Sequence, residues 1–308
     1  MNIYHSLDSF ERLENGVVTS GTFDGVHLGH KKILSRLIEI SEQSGGESVV
    51  LTFWPHPRMV VSEDSQDLQL LSTIDEKIEL FAELGIKHLA IVPFTRAFSE
   101  LSSDEFIQQI LLDRIGTKKL VIGYDHRFGR NREGSFEFLQ NNGPKYGFEV
   151  EEIPRADIEN MAISSSRIRK SLVTGHIQEA NELLGRSYTL SGTVVKGKQL
   201  GRTIGFPTAN LHLHESYKLV PMNGVYIIYA THQENRYKGM LNIGVRPTVD
   251  GTTRTIEAHL FDFDQEIYGE DLKLELVSYL RPEQRFDGLD MLVKQINLDK
   301  ANTLSYFA

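Results

Sequence analysis

Two patterns of hydrophobic positions follow one another along the chain, and the change falls near residue 185. In the first part, short apolar runs alternate with stretches whose apolar residues recur at helical spacing. Residues 49–53 form such a run and predict a strand, whereas residues 31–42 have the spacing of a helix. Strands that are apolar on both faces and alternate with helices indicate a parallel sheet covered on both sides. We therefore expect a doubly wound α/β domain. The other elements predicted in this part are strands at 17–19, 89–92 and 120–122 and a helix at 75–84.

Beyond residue 186 the pattern becomes one of successive strands separated by Gly, Pro and Asn, which is typical of a small antiparallel barrel. An apolar stripe from Leu289 to Ile296 predicts one closing helix. Another helical stretch, from Ile168 to Leu184, ends the first part. We place the boundary near Gly185, which gives domains 1–185 and 186–308. The predicted barrel strands cover 190–195, 224–229, 237–243, 255–261 and 272–277.

The amino-acid composition argues against some classes of binding partner. The chain has 308 residues, with 33 Lys and Arg against 42 Asp and Glu, a formal charge of −9. An acidic chain argues against binding to nucleic acid or to an anionic membrane, which needs basic patches. There is no Cys, and we find neither a signal peptide nor an apolar run of the roughly 18 residues that span a bilayer. We therefore expect a cytoplasmic protein with small-molecule substrates, no nucleic-acid or membrane partner, and a monomeric or weakly homo-oligomeric state.

The segment Gly-Thr-Phe-Asp-Gly-Val-His-Leu-Gly-His at 21–30 joins a predicted strand to a predicted helix. A glycine turn before a helix directs backbone N–H groups and the positive helix end towards an anion. His27 and His30 lie three residues apart and share one face of the first turn, and Gly29 lets phosphate oxygens approach the backbone. The alternatives are histidines without a role and a zinc site, which lacks an obvious third ligand. The segment therefore predicts a nucleotide-phosphate site.

A second segment, Ile-Ser-Ser-Ser-Arg-Ile-Arg-Lys at 163–170, opens another predicted helix. Serine hydroxyls suit a helix N-cap and can hold phosphate, and each guanidinium group can bind phosphate with two donors. An ordinary, solvated helix start is the alternative. Beside the first segment, this one indicates a second phosphate-binding element.

The second part contains a candidate nucleotide-binding segment at 197–210. Gly197, Gly201 and Gly205 recur at intervals of four and predict a loop whose backbone can wrap phosphates. Thr208 and Asn210 lie two residues apart, so they face the same side of an extended strand. Their hard oxygen atoms suit Mg²⁺ together with nucleotide phosphates. The alternative is that the glycines only mark turns.

These motifs together resemble a known family. Residues 21–30 resemble the His-x-Gly-His motif of nucleotidylyltransferases, and residues 163–169 resemble the second phosphate motif of that superfamily. Thr-Phe-Trp-Pro-His-Pro at 52–57 and Val-Ile-Gly-Tyr-Asp-His-Arg-Phe-Gly at 121–129 narrow the resemblance to the adenylyltransferase half of the bacterial bifunctional riboflavin kinase/FAD synthetases. The second part resembles the riboflavin kinase half of the same family. Its matching segments are 207–210, 223–226, 242–248, 257–262, 268–269 and 281–286 and the final helix.

The resemblance implies an N-terminal Rossmann-like nucleotidylyltransferase domain and a C-terminal riboflavin kinase barrel with a final helix. The barrel would make FMN and ADP from riboflavin and ATP with Mg²⁺, and the first domain would make FAD and pyrophosphate from FMN and ATP. The implied catalytic residues are Glu257, His27, His30 and Arg167. The implied nucleotide-binding residues are Gly21, Phe23, Asp24, Gly29, Ser164, Ser165, Arg169, Gly197, Gly201 and Gly205. The implied flavin contacts are His56, Pro57, Asp125, His126, Arg127 and Arg281, and the implied metal ligands are Thr208 and Asn210.

Glu257 is the candidate general base. In its predicted strand, Ile256 and Ala258 take one face, whereas Glu257 and His259 take the other. Alternation alone favours a solvated carboxylate on the outside of a barrel. The resemblance reverses that preference, because the catalytic Glu of the family stands at this place in the motif.

One residue departs from the family pattern, and two other functions remain open. His126 stands where the family usually has Phe, so an imidazole would line the flavin pocket. One alternative is a metabolite-sensing domain attached to an OB-like nucleic-acid module, which the charge of −9 opposes. The other is an adenylyltransferase for a different phosphate acceptor with a regulatory barrel. Flavin products formed from riboflavin, ATP and Mg²⁺ would exclude both.

Overall fold

A computed structural model describes residues 1–62, 68–124, 126–153, 163–197, 199–248 and 251–308 of the chain. Asp125, an expected flavin contact, lies outside these residues. The chain forms two compact units, Met1–Ser165 and Ser166–Ala308. This division follows contacts, whereas the boundary near Gly185 was expected from a change of sequence pattern. The boundary near Gly185 stays a prediction of where one catalytic half ends and the other begins.

The first unit is built on a six-stranded sheet in which every strand pair is parallel. The strand order is β1-β4-β3-β2-β5-β6. The predicted doubly wound α/β fold is therefore confirmed, although the two edge strands, β1 and β6, were not predicted. The strands are β1 (Asn2–Tyr4), β2 (Gly16–Ser20), β3 (Glu47–Trp54), β4 (His88–Pro93), β5 (Thr117–Gly123) and β6 (Glu149–Ile153).

Helices cover both faces of this sheet, which is why its central strands are apolar throughout. Val17 packs in one core with Leu34 and Phe81, whereas its neighbour Val18 packs in a second core with Ile107. The helices are α1 (Leu28–Gln43), α2 (Pro57–Val61), α3 (Ile74–Glu83), α4 (Arg96–Ser99), α5 (Ser103–Glu105, continued as a π-helix over Phe106–Ile115) and α6 (Phe136–Tyr146). Short 3-10 turns lie at Leu7–Ser9 and Arg130–Arg132.

The strand order fixes where a ligand can bind. Strand β2 lies between β3 and β5, so the chain first builds the sheet to one side of β2 and then to the other. Open parallel sheets bind ligands beyond the carboxyl ends of the strands at such a reversal. The segment 21–30 leaves β2 at this edge, and Tyr124 follows β5 there. Topology therefore brings both predicted motifs to one edge.

The second unit contains a closed, antiparallel, six-stranded barrel in the order β10-β11-β8-β7-β12-β9. The barrel expected from the sequence is confirmed, with one further strand, β8. Val293 and Ile296 of the final helix pack on Phe206 and Met240, so the predicted apolar stripe covers the barrel. The elements are β7 (Tyr188–Val195), α9 (Leu200–Thr203), β8 (Ala209–Leu213), β9 (Gly224–His232), β10 (Asn235–Thr248), β11 (Gly251–Leu260), β12 (Asp271–Arg281) and α10 (Leu289–Tyr306).

The helical stretch predicted over 168–184 is two helices, α7 (Ser165–Val173) and α8 (Ile177–Leu184). Gly175 separates them with a positive φ of 81°. Asn181 of α8 donates to the Leu276 carbonyl and accepts from the Tyr188 N–H, each at 2.8 Å. These bonds hold α8 against the barrel strands. Among all the helices described, none is long and apolar enough to cross a membrane.

Candidate active sites

A pair of histidines marks the start of α1. His27 is the N-cap of this helix, and its Nδ1 accepts the backbone N–H of His30 at 3.3 Å. A nitrogen that accepts carries no proton, so neutral His27 has its hydrogen on Nε2. The two rings stack with centroids 3.6 Å apart and planes inclined by 15°. The capping bond thus orients the His27 ring, and the His30 ring stacks on it at the positive end of the helix.

The surroundings of His30 favour its neutral form, which can donate one hydrogen bond. Burial, the neighbouring His27 and the Lys77 charge hold the pKa of His30 well below its ordinary value. Phe23 meets its ring edge-on, with centroids 5.3 Å apart. Its buried Nδ1 has no hydrogen-bond partner among the described residues. Because an unpaired buried nitrogen is costly, this atom indicates a place where a ligand or water completes the site.

The backbone between β2 and α1 is strained. Phe23 and Val26 have positive φ angles of 47° and 38°, and both side chains are buried. Bulky and β-branched residues rarely adopt such angles, and strain of this kind concentrates at functional sites. Phe23 also packs edge-on against Phe81 of α3, with centroids 5.8 Å apart. Tertiary packing therefore holds the loop in its unusual shape.

Asp24 connects this loop to two other segments. Its buried carboxylate accepts the N–H groups of Leu71 and Ser72 at 2.9 and 3.2 Å. Its carbonyl oxygen accepts the Ser165 hydroxyl at 3.0 Å. The two segments predicted to hold phosphate therefore meet at Asp24. The hydrogen bonds also show that Asp24 shapes the loop, while its expected contact with nucleotide stays a prediction, as does that of the exposed Ser164.

Two of the expected flavin contacts follow β3, and others follow β5. His56 begins α2 by accepting the Arg58 N–H on Nδ1 at 3.2 Å, and Pro57 is the first residue of that helix. After β5, the Nε2 of His126 lies 3.3 Å from the hydroxyl of Ser20, the last residue of β2. Burial, together with Arg132, lowers the pKa of His126 to about 4. His126 therefore stands at the carboxyl end of β2 as a neutral ring, while Arg127 is exposed.

Arg167, an expected catalytic residue, is engaged in an ion pair within the second unit. It donates to Oε1 of Glu179 from Nε at 3.1 Å and from Nη2 at 2.7 Å. The Ser171 hydroxyl donates to the other carboxylate oxygen at 2.8 Å. These bonds lower the pKa of Glu179. Contact between Arg167 and a phosphate requires Arg167 to leave or share this carboxylate, and its role stays a prediction, as does that of Arg169.

The barrel contains a cavity of about 640 Å³. The predicted site residues that line it are Gly201, Thr208, Asn210, Glu257 and Arg281. Strand register explains part of this grouping, because Glu257 on β11 stands opposite Asn210 on β8 and Asn242 on β10. Three polar side chains thus form one row across the barrel. The expected grouping of Glu257 with Thr208 and Asn210 is present in the structure.

The glycines of the cavity loop allow close backbone approach. A Cβ on Gly201 would overlap the carbonyl oxygen of Phe206, and a Cβ on Gly197 would overlap the Asn210 amide. Gly205 has open space around it but a positive φ of 81°. Gly201 and Gly197 are therefore required for close packing and shape the wall that carries Asn210, whereas Gly205 suits its backbone conformation.

Sequence comparisons agree with this geometry. Residues 9–167 match the FAD synthetase family, and residues 184–307 match the riboflavin kinase family. Curated proteins named bifunctional riboflavin kinase/FMN adenylyltransferase are 37% identical to the chain. The relative from Listeria monocytogenes covers 99% of this chain and 97% of its own length, and that from Bacillus subtilis covers 97% and 94%. The chain belongs to the bifunctional riboflavin kinase/FMN adenylyltransferase family.

A solved structure matches nearly the full length of this family member. The crystal structure of a macrolide-efflux protein from Streptococcus pneumoniae matches with a TM-score of 0.89 and 31% identity. It covers 98% of this chain and 97% of its own. The name describes that protein, whereas both family matches and the curated relatives of the present chain point to flavin metabolism.

The structure of this riboflavin kinase/FMN adenylyltransferase family member also shows cavity residues that the sequence did not predict. Asp299 of α10 is buried and accepts Arg281 at three distances between 2.7 and 3.0 Å. His259 lines the cavity beside Glu257, with Nδ1 2.7 Å from the Pro207 carbonyl. Alternation along β11 could have selected His259, because it shares a face with Glu257. Asp299 is one of several charged residues on its helix and has no distinguishing local signal.

Proposed function

We propose that the two reactions of the family are carried out by two separate sets of residues in this chain. The chain is a riboflavin kinase and an FMN adenylyltransferase. The C-terminal half converts ATP and riboflavin into FMN and ADP, and the N-terminal half converts ATP and FMN into FAD and pyrophosphate. The observation that supports the division is the difference between the sites. A carboxylate lines the barrel cavity, whereas two stacked imidazoles begin α1.

In the kinase reaction the attacking group is a neutral hydroxyl and must lose a proton. The 5′-oxygen of riboflavin forms a bond to the γ-phosphorus of ATP while the bond from that phosphorus to the β–γ bridging oxygen breaks. ADP leaves, and Glu257 accepts the hydroxyl proton. Glu257 suits this role because it lines the cavity and stands in the same row as Asn210 and Asn242. Arg281, in the same cavity, contacts the flavin or its phosphate.

The cavity also fits Mg²⁺ held jointly with the nucleotide. Thr208 and Asn210 both line it and supply hard oxygen atoms, the ligands that Mg²⁺ prefers beside phosphate oxygens. Gly197 leaves room for the Asn210 amide, which a side chain at residue 197 would displace. Mg²⁺ bound there would offset phosphate charge. Gly197, Gly201 and Gly205 let the loop backbone follow the phosphates.

In the adenylyl transfer the attacking group is the phosphate of FMN, which is already an anion. An oxygen of this phosphate forms a bond to the α-phosphorus of ATP, and the bond to the α–β bridging oxygen breaks, so pyrophosphate leaves. A strong base is unnecessary, and the site needs donors that steady negative charge. His27 and His30 supply these donors at the positive end of α1. The further nucleotide contacts are Gly21, Phe23, Asp24, Gly29, Ser164, Ser165, Arg167 and Arg169, and the flavin contacts are His56, Pro57, Asp125, His126 and Arg127.

We also propose a cytoplasmic, monomeric or weakly homo-oligomeric enzyme that acts on small molecules without a nucleic-acid partner. The formal charge of −9 supports the last point, because nucleic-acid binding relies on clustered positive charge. Analytical ultracentrifugation across a range of protein concentrations tests the oligomeric state. A stable higher oligomer at low concentration would refute it.

The decisive experiment uses two variants whose expected defects are complementary. Wild-type protein is incubated with riboflavin, ATP and Mg²⁺, and the flavins are separated by chromatography. We expect FMN and then FAD, with no product after chelation of Mg²⁺ by EDTA. Glu257→Gln should lower FMN formation by about 10²–10⁴-fold but still make FAD from supplied FMN. His30→Ala should make FMN and little FAD. Wild-type protein without flavin turnover, or variants with the reverse defects, would contradict the assignment.

A further inference from the structure

A buried lysine lies beneath the N-terminal site. Lys77 is only 4% exposed and belongs to the first turn of α3, which begins with a capping box of Thr73 and Glu76. An ammonium group there is unfavourable for two reasons. It has left water, and it lies near the positive end of a helix dipole. Its environment must therefore supply compensating interactions.

The compensation comes from the loop that carries the histidine pair. The Lys77 ammonium donates to the carbonyl oxygen of Thr22 at 3.2 Å. The charge of Asp24 stabilises the ammonium form and raises the pKa of Lys77, against the larger effect of burial, and the net result is a pKa of about 8. Lys77 thus contacts two residues of the segment 21–30, Thr22 by a hydrogen bond and Asp24 by electrostatic attraction.

The same loop is already held at this end of α3 by a second link. The Asp24 carboxylate binds the N–H groups of Leu71 and Ser72, which directly precede the helix. Two links of opposite polarity therefore hold the loop. Lys77 of the helix donates to a loop carbonyl, and Asp24 of the loop accepts from backbone N–H groups that precede the helix. Between Thr22 and Asp24 lies Phe23, whose strained backbone places its ring against His30.

We propose that Lys77 is a positioning residue for adenylyl transfer: its ammonium group fixes the Thr22 carbonyl, and so holds the loop that presents His27 and His30 to the nucleotide phosphates. This role rests on the adenylyl transfer proposed for the N-terminal site. A second effect follows from the charge. Among the described residues, the charges that act on His30 are those of His27 from the loop and Lys77 from α3, and Asp24 of the loop acts in turn on Lys77. The positive charge of Lys77 helps to keep His30 neutral.

The test compares Lys77→Met, which keeps much of the length and removes the charge, with Lys77→Arg, which keeps the charge. Lys118→Met, at an exposed position of β5, is the matched control. FAD formation from supplied FMN and ATP is measured against pH, and FMN formation from riboflavin reports on folding of the other half. We expect Lys77→Met to lower kcat/KM for FAD formation at least tenfold and to move its acidic limb to higher pH. The shift follows because loss of a nearby positive charge raises the pKa of His30.

Lys77→Arg should recover part of the rate and keep the acidic limb of the wild type, and Lys118→Met should match the wild type throughout. A Lys77→Met protein with wild-type rate and pH profile would overturn the proposal. If Lys77→Met does not fold, a folded Lys77→Arg protein whose acidic limb has moved would overturn it as well. Absence of FAD formation in the wild type would instead refute the proposed function of the site, whatever the variants do.

Discussion

The ion pair between Arg281 and Asp299 provides a quantitative prediction for the barrel. The Asp299 side chain is 3% exposed and that of Arg281 is 16% exposed, and a fourth hydrogen bond reaches Asp299 from Gln295 at 2.9 Å. Asp299→Asn removes the carboxylate charge and leaves the shape nearly unchanged. The guanidinium group of Arg281 then stays in a largely dehydrated place without its counter-ion.

The size of the effect depends on burial. Breaking a buried ion pair by removing one partner costs about 3–5 kcal/mol. The same barrel contains a matched contrast, the pair of Arg236 and Glu275, with bonds of 3.1 and 2.8 Å and side chains that are 50% and 24% exposed. Solvent screens a pair of this kind, and it contributes at most about 1 kcal/mol. Glu275→Gln should therefore have a much smaller effect than Asp299→Asn.

Thermal unfolding separates these expectations. For a unit of this size, a loss of 1 kcal/mol lowers Tm by about 3–5 °C. Asp299→Asn should therefore lower the Tm of the barrel transition by about 10 °C or more, and Glu275→Gln by about 5 °C or less. Because Arg281 also lines the cavity, Asp299→Asn should raise the KM for riboflavin. FAD formation from supplied FMN should remain, since it occurs in the other half.

Two results would refute the reasoning. Equal losses of Tm in Asp299→Asn and Glu275→Gln would show that burial does not control the cost. The second result concerns the double variant Arg281→Met/Asp299→Asn. It should be more stable than Asp299→Asn alone, because it no longer buries an unpaired charge. A double variant that is less stable than Asp299→Asn would contradict the ion-pair explanation.

Two further predictions concern a histidine and a pair of glycines. Burial lowers the pKa of His126 from 6.5 to about 4. Between these two pH values the unfolded chain therefore binds more protons than the folded chain. The stability that the neutral ring provides is complete above pH 6.5 and is lost as the pH falls towards 4. His126→Phe should lose less stability than the wild type in urea unfolding between pH 7 and pH 5, and equal losses would contradict this assignment. Gly201→Ala should impair FMN formation strongly because its Cβ meets the Phe206 carbonyl, whereas Gly205→Ala, in open space at a φ of 81°, should cost about 1–2 kcal/mol of stability and impair FMN formation less. Equal rates of FMN formation would refute the distinction.

The sequence predicted the elements whose side chains follow a regular period. Residues 49–53 are apolar on both faces because helices cover both sides of the sheet, and residues 49 and 50 lie in different cores. Strand β1 has only three residues, and three of the five residues of β6 are Glu, so neither produces a strong pattern. Strand β8 begins inside the motif 207–210, where its residue Asn210 was predicted as a metal ligand. Its pairing with β7 and β11 is a tertiary property.

The candidate sites show the same limit. Spacing predicted that His27 and His30 share a face, and the stacked rings confirm it. Spacing could not reveal Lys77 or Asp299, because each is a charged residue on a helix with other charged residues, and only the tertiary structure buries it. Nor could it show that Glu179 holds Arg167. Residues that carry a motif are visible in the sequence, whereas the residues that position them become visible when the chain is folded.

The contrast between the two sites follows from the protonation state of each nucleophile. A hydroxyl attacks in the barrel, so a carboxylate in the cavity is useful there. An anionic phosphate attacks in the N-terminal site, where a carboxylate facing the ligand would repel both substrates. Asp24 is the acidic residue of that loop, and backbone N–H groups and the nearby Lys77 neutralise it. A positive charge on His30 would in turn add to that of Lys77 in a buried space. A neutral His30 avoids this repulsion and can still donate a hydrogen bond to the charge that develops on pyrophosphate.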